Sequence, residues 1–263
     1  MSVLVIKMSP ELYDSHIHLT DNAYDNFLPS ILITLRAMRI KACSVTVNIS
    51  SSSKAIRLFQ EKNVKSLIYN FVGIHPQFAD ENISKFEEIV TSNLHNIDGI
   101  GEIGLDPTYY NEDNNTKVSQ VHVFNKMLTI AETYHKPVSI HSRNSLDEIL
   151  NMLSTYNLKR VCLHWFDGNP QQLEKSLDMG LYISYGPSLV YSKKKQGLLK
   201  LTKQNKLLTE TDGPVRYPSC FKNIITLPTS TLMSVVRMIS EVLSLPPKIV
   251  IDTLKKNSIL FFD

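Results

Sequence analysis

Leu12-Tyr13-Asp14-Ser15-His16-Ile17-His18-Leu19 is apolar at its edges and built on alternate residues. Read as a β-strand, it projects Asp14, His16 and His18 from one face and Tyr13, Ser15, Ile17 and Leu19 from the other. Three side chains of the metal-ligating kind then share one side. Burying that side unpaired would cost about 1–3 kcal/mol per unsatisfied group, so it demands either hydrogen-bond partners or a metal ion.

Outward from this stretch, short apolar runs alternate with helical patterns. A helix is expected over Phe27 to Ile40, a strand over Lys41 to Asn48, and a helix capped by Ser51 through Lys62. Strands follow at Val64 to Ile74, Gly99 to Leu105, Pro137 to His141, Val161 to His164, Leu181 to Tyr185 and Leu207 to Asp212. Between them lie helices over Ile83 to Leu94, Thr116 to Tyr134, Ser145 to Tyr156, Pro170 to Met179 and a lysine-rich segment; Thr229 to Leu243 and Pro246 to Lys256 close the chain. Such an alternation fits an α/β fold, either a TIM (β/α)8 barrel or a doubly wound open sheet. Polar residues interrupt the strands at or near their C-terminal ends: His16, His18, His75, Glu102, His141, His164 and Asp212. A barrel gathers those ends into one pocket whereas an open sheet spreads them along a crevice, so the barrel is the expectation.

At 263 residues and 43% hydrophobic content, without a Ser/Gly linker or charge run dividing it, the chain reads as a single domain over 1–263. A net charge of +3 is a weak lean towards anionic partners and no sign of a nucleic-acid patch by itself. Cys43, Cys162 and Cys220 are few, odd in number and far apart, which suits free thiols and a cytoplasmic protein. Val3 to Ile6 is too short for a signal-peptide core or a membrane span; it is either an edge strand or a barrel plug, and Met8 is an alternative start.

Histidines with one glutamate and one aspartate at strand ends supply about the donors that two divalent cations roughly 3.5–4 Å apart need. Glu102 can bridge two ions because a carboxylate has two oxygens; an imidazole cannot. Nitrogen-rich donors suit zinc or manganese better than magnesium. A lone strand-end histidine such as His75 is more often a hydrogen-bonded residue than a ligand, and His95, His122 and His135 read as surface. Convergence of several such residues is what points to metal.

Asp14-Ser-His16-Ile-His18-Leu, Gly73-Ile-His75-Pro, Gly101-Glu102-Ile-Gly-Leu-Asp106, Pro137-Val-Ser-Ile-His141-Ser-Arg143, His164-Trp-Phe-Asp-Gly168 and Thr209-Glu210-Thr-Asp212-Gly-Pro214 stand in the order and spacing of the TatD-family metal-dependent hydrolases of the amidohydrolase superfamily, which the chain resembles from about Tyr13 onward. The resemblance implies a TIM barrel and a deoxyribonuclease, often a 3′-to-5′ exonuclease on single strands, that uses two divalent ions: zinc, manganese or magnesium. Carried over by position, it gives His16, His18 and Asp212 to one ion, His141 and His164 to the other, and Glu102 to both. Asp212 would take the proton from the attacking water, with Glu210 orienting that water and His75 and Arg143 near the phosphate. Asp14 is expected to support a ligand from behind. Asn144, Trp165, Asp167 and Pro107-Thr108-Tyr109-Tyr110 depart from the family's usual residues, all outside the expected ligand set.

The substrate expected is a nucleic-acid end, DNA or RNA, with no membrane and no obligatory protein partner. Tyr109, Tyr110 and Trp165 are candidates for base stacking or for loop packing. Lys193-Lys194-Lys195 reads first as a solvated helix start and second as a guide for the strand. Val215 to Leu227 would form a lid. Two other readings stand beside the nuclease: hydrolysis of a small amide, ester or lactone, and a non-catalytic metal-binding scaffold.

Overall fold

The structure, a computed structural model, describes residues 10–62, 64–217, 219 and 224–263. Strands β1 (Leu12–Ile17), β2 (Ile40–Ser44), β3 (Ile68–Val72), β4 (Gly99–Leu105), β5 (Val138–Ser142), β6 (Val161–Leu163), β7 (Tyr182–Tyr185) and β8 (Leu207–Thr209) form one parallel sheet in sequence order. Just past β8, the Asp212 amide donates to His16 O at 2.9 Å and the His18 amide donates to Gly213 O at 2.7 Å, which ties the last strand back to the first. Helices α1 (Leu28–Ala37), α2 (Ile49–Lys62), α3 (Ile83–Ser92), α4 (Lys117–Thr133), α5 (Leu146–Leu153), α6 (Pro170–Asp178) and α7 (Lys193–Leu201) connect consecutive strands, and α8 (Pro228–Leu243) and α9 (Pro247–Phe262) follow β8. This is the expected (β/α)8 barrel.

Local chemistry starts the helices. The Asn82, Thr116, Asn169 and Ser192 side chains accept amide hydrogens from the first turns of α3, α4, α6 and α7. At α2 the cap is Asn48, which accepts from the Ser51 amide, and not Ser51 as expected; the Ser51 hydroxyl instead accepts from Val47 and Asn48. Strands are shorter than the apolar runs implied. Strand β8 stops at Thr209 because the Thr211 amide turns to the Asp14 carboxylate and Asp212 takes a left-handed conformation, φ 52°.

Along most strands, alternate residues point inward in layers. Tyr13, Cys43, Tyr69, Phe71, Cys162, Tyr182 and Leu208 form an apolar floor, joined by Phe261 and Phe262 of α9; the Phe262 ring stacks on Tyr69 at 4.2 Å. Outward-facing Ile40, Ala42, Ile68, Val72, Val138, Ile140, Val161 and Leu163 pack in the larger core with the helices. Two residues above the inward Ser139 and Cys162, towards the mouth, come His141 and His164.

Two strands break this alternation. In β1, Asp14 lies opposite Ala42 but Ile17 lies opposite Ser44, three residues against two. In β4, Ile100 lies opposite Val138 and Ile103 opposite Ile140, again three against two. Each extra residue is a β-bulge that resets which face follows. Strict alternation would put Tyr13 and Ile17 on one face; instead Tyr13 belongs to the floor and Ile17 to the outer core. The reading that groups Asp14 with His16 and His18 fails for the same reason: Asp14 is fully buried against the segment that follows β8, bonded to Thr211. The β4 bulge likewise turns Glu102 inward although both Ile100 and Ile103 face out.

A Cβ on Gly104 would lie 1.9 Å from His141 O. Gly104→Ala is therefore expected to lower stability by about 3 kcal/mol in urea unfolding, since β4 must separate from β5 to admit the methyl. An unchanged midpoint would mean the strands absorb it.

Val3 to Ile6, Met8 and Cys220 lie outside the described residues; Cys43 and Cys162 are free and buried. Among the described residues no helix is long and apolar enough to cross a membrane.

Candidate metal centre

A cleft of about 1100 Å³ opens at the C-terminal ends of the strands, lined by His18, His75, Glu102, His141, His164 and Asp212 among others. His16 lies beneath it, fully buried. Glu102 stands at the centre, and its two oxygens face different groups. The Oε2 atom is 3.5 Å from His16 Nε2 and 3.4 Å from His18 Nε2, while Asp212 Oδ1 is 3.6 and 3.4 Å from the same nitrogens. On the other side, Oε1 is 2.9 Å from His141 Nδ1, 2.8 Å from His164 Nε2 and 3.6 Å from His75 Nε2.

The first group fits a cation. Four donors each about 2.1 Å from a tetrahedral ion lie roughly 3.4 Å from one another, the spacing seen here, and that is too long for good hydrogen bonds. His16 Nε2 is wholly buried without a hydrogen-bond partner, while its Nδ1 is paired with Ser139 Oγ at 2.9 Å. Buried His164 Nδ1 and Glu210 Oε2 are also without a hydrogen-bond partner. Three sets of ligand atoms gather within 4.8 Å: His16, His18 and Asp212; His75, Glu102 and His141; and His16, His164 and Glu210. The donor types and spacing suit divalent metal ions.

Burial favours a neutral Glu102, but the surrounding imidazoles outweigh it and hold its carboxyl well below the usual range. Burial would lower His141 too, yet hydrogen bonds to Asp106 and Glu102 lift it to about 9. Burial and the nearby His164 drive His16 down to about 4. For His75 burial prevails over Glu102, again to about 4.

Other expected site residues fall into three positions. Arg143 is exposed on the cleft wall. His75, expected near the phosphate, sits inside the donor cluster, its ring edge-on to His141 at 4.6 Å. Glu210, expected to orient water, is fully buried: its Oε1 accepts the Trp165 amide at 2.7 Å and lies 3.9 Å from His164 Nδ1. Asp14 contacts backbone and Thr211 and no ligand imidazole. His95, His122 and His135 are exposed, as expected.

Asp106 was not among the expected site residues. Its Oδ2 is 2.9 Å from His141 Nε2, and the residue is completely buried. Its place in Gly101-Glu102-Ile-Gly-Leu-Asp106, four residues past Glu102, was the available signal. Tyr109 lines the cleft edge-on to His75; Tyr110 does not line it. The three lysines divide: Lys193 reaches Gln196, Lys194 pairs with Asp167, and Lys195 is buried beneath the loop after β6. Part of the expected lid lies outside the described residues; Pro214 and Val215 line the cleft.

The sequence pattern of the family described as TatD related DNase matches residues 13–263. The chain belongs to that family. Among its relatives is an uncharacterized metal-dependent hydrolase of Buchnera aphidicola, 27% identical, with 96% of each chain covered. The 3′-5′ ssDNA/RNA exonuclease TatD of Salmonella typhimurium is 26% identical over 83% of this chain and 84% of its own. The crystal structure of YJJV, a TatD homologue from Escherichia coli, superposes with a TM-score of 0.85 at 21% identity, covering 97% of this chain and 99% of that one. The barrel is thus the TatD-family barrel, and the site described above occupies its mouth.

Proposed function

We propose that this TatD-family hydrolase is a divalent-metal-dependent phosphodiesterase that releases nucleotides from nucleic-acid ends, most naturally as a 3′-to-5′ deoxyribonuclease. The observation that carries the reading is Glu102, whose two oxygens face two separate sets of imidazole donors across one open cleft. The relative from Salmonella named for single-stranded DNA and RNA supports the substrate class. The free, buried Cys43 and Cys162 suit a reducing cytoplasm.

His16, His18 and Asp212 would hold one ion, His141 and His164 the other, with Glu102 between them and His75 beside the second. Bound there, two ions of the zinc or manganese type supply a water molecule of lowered pKa and charge neutralisation at phosphate oxygens. Asp212 Oδ1, at the cleft surface, takes the proton from the attacking water. Arg143 on the wall binds a nonbridging oxygen. Ser139 and Asp106 fix the rings of His16 and His141, so that each presents its remaining nitrogen to the cluster. Glu210, behind His164, accepts the Trp165 amide and so holds the turn after that ring.

The test is nucleotide release from an end-labelled single strand with zinc, manganese, cobalt or magnesium supplied in turn. Release with at least one is expected, and none with any of the four overturns the reading. Because Asp106 orients one ligand ring, Asp106→Asn is expected to weaken metal affinity roughly 10–100-fold in a titration followed by competition with a chelating dye. Wild-type affinity would take Asp106 out of the site.

A further inference from the structure

Trp165 stands immediately after His164 in a left-handed backbone conformation, φ 45°. A bulky residue rarely occupies that region unless its surroundings compel it. Three contacts do so here. The Trp165 amide donates to Glu210 Oε1 at 2.7 Å. The Lys195 ammonium donates to the carbonyl oxygens of Trp165 at 3.3 Å and Phe166 at 2.9 Å. The Tyr217 ring stacks on the indole at 5.4 Å and 15° between planes.

Both Lys195 and Tyr217 are almost completely buried, and neither lines the cleft, whereas Trp165 does. Tyr217 and Lys195, whose ammonium also lies over the indole at 5.6 Å from the ring centroid, hold the ring in place, while Trp165 stays partly exposed and lines the cleft with His164 and Asp212. Loop packing alone would bury the indole, whereas Trp165 keeps part of its surface at the cleft. An aromatic ring held in place and partly open to the cleft beside a phosphodiester site is suited to stacking a flat heterocycle, and every nucleobase offers one.

We propose that Trp165 is the stacking platform for a nucleobase beside the scissile phosphate, and that Tyr217 and Lys195 are positioning residues that hold it there. The proposal rests on the nuclease reading and adds to it how substrate is chosen: a strand with a base at that nucleotide is favoured over one without.

The chain contains one tryptophan, so its fluorescence reports this residue alone. The metal-loaded enzyme would be titrated with a short phosphorothioate-linked oligothymidylate and with a strand of the same length and linkages made wholly of abasic sites. Binding is read from the anisotropy of a dye on the strand and stacking from indole emission. Both strands are expected to bind, the base-containing one roughly ten-fold more tightly, and only it to quench the indole. Trp165→Phe is expected to keep most of that preference and Trp165→Ala to reduce it to near one; Lys195→Met is expected to reduce it while leaving abasic binding in place. Equal quenching by both strands, or an undiminished preference in Trp165→Ala, overturns the platform and leaves the nuclease reading standing. Failure of both strands to bind overturns the two together.

Discussion

Asp212→Asn and Glu102→Gln should each abolish detectable nucleotide release, a loss of about 10³-fold or more, while circular dichroism stays that of the parent. Asp212 has two tasks at one atom. Its Oδ1 completes the set with His16 and His18, and it is the cleft-facing carboxylate placed to accept a proton. An amide oxygen is a weaker donor to a cation and cannot take the proton, and general-base catalysis alone is typically worth 10²–10⁴-fold. Glu102 is the only carboxylate placed between both groups of imidazoles among the described residues. Replacing one of its oxygens with an amide nitrogen sets a donor hydrogen against one group. Both substitutions preserve side-chain volume, so a folded but inactive protein is the expected result. Activity within ten-fold of the parent in either variant would remove that residue from the centre.

Metal ions should stabilise the fold as well as activate it. Removing them with a chelator is expected to stop hydrolysis and lower the melting temperature, and adding zinc or manganese at about a hundred times the dissociation constant should restore both. Such saturation contributes about 2.7 kcal/mol, which for a chain of this size is roughly 5–10 °C. The sign follows from the site. The carboxylates of Glu102, Asp106 and Asp212 crowd one buried place, and against the effect of burial neighbouring imidazoles hold Glu102 and Asp106 below their usual range. Cations neutralise that charge in the folded state and have no assembled site in the unfolded one. A melting temperature indifferent to both chelator and metal would show that the donors do not hold an ion.

How far this could be read from sequence depended on whether a residue obeyed the local period. His141 and His164 did. They lie two positions past inward residues on regular strands, so alternation alone aims them correctly. His16 and Glu102 did not, since each lies within a bulged stretch whose extra residue is invisible in a hydrophobic pattern. Motif order located them where periodicity would have misaimed them. Asp106 and Glu210 were legible as acidic residues near the site but not in their partners, because His141 and Trp165 come from other strands and loops. Lys195 was hardest to place: in a run of three lysines nothing distinguishes the one folded under a loop from the two at the surface.

The closure of β8 onto β1 also has a consequence for synthesis. Asp14 and Thr211, which seal that seam, are 197 residues apart. At a translation rate of about 5–20 residues per second, β1 leaves the ribosome roughly 10–40 s before its partner exists. Until then the edge of β1 that the β8 end covers in the folded barrel has no partner there, and His16 and His18 lack Asp212. The centre is therefore among the last parts of this barrel to mature, although two of its donors come from the barrel's first strand.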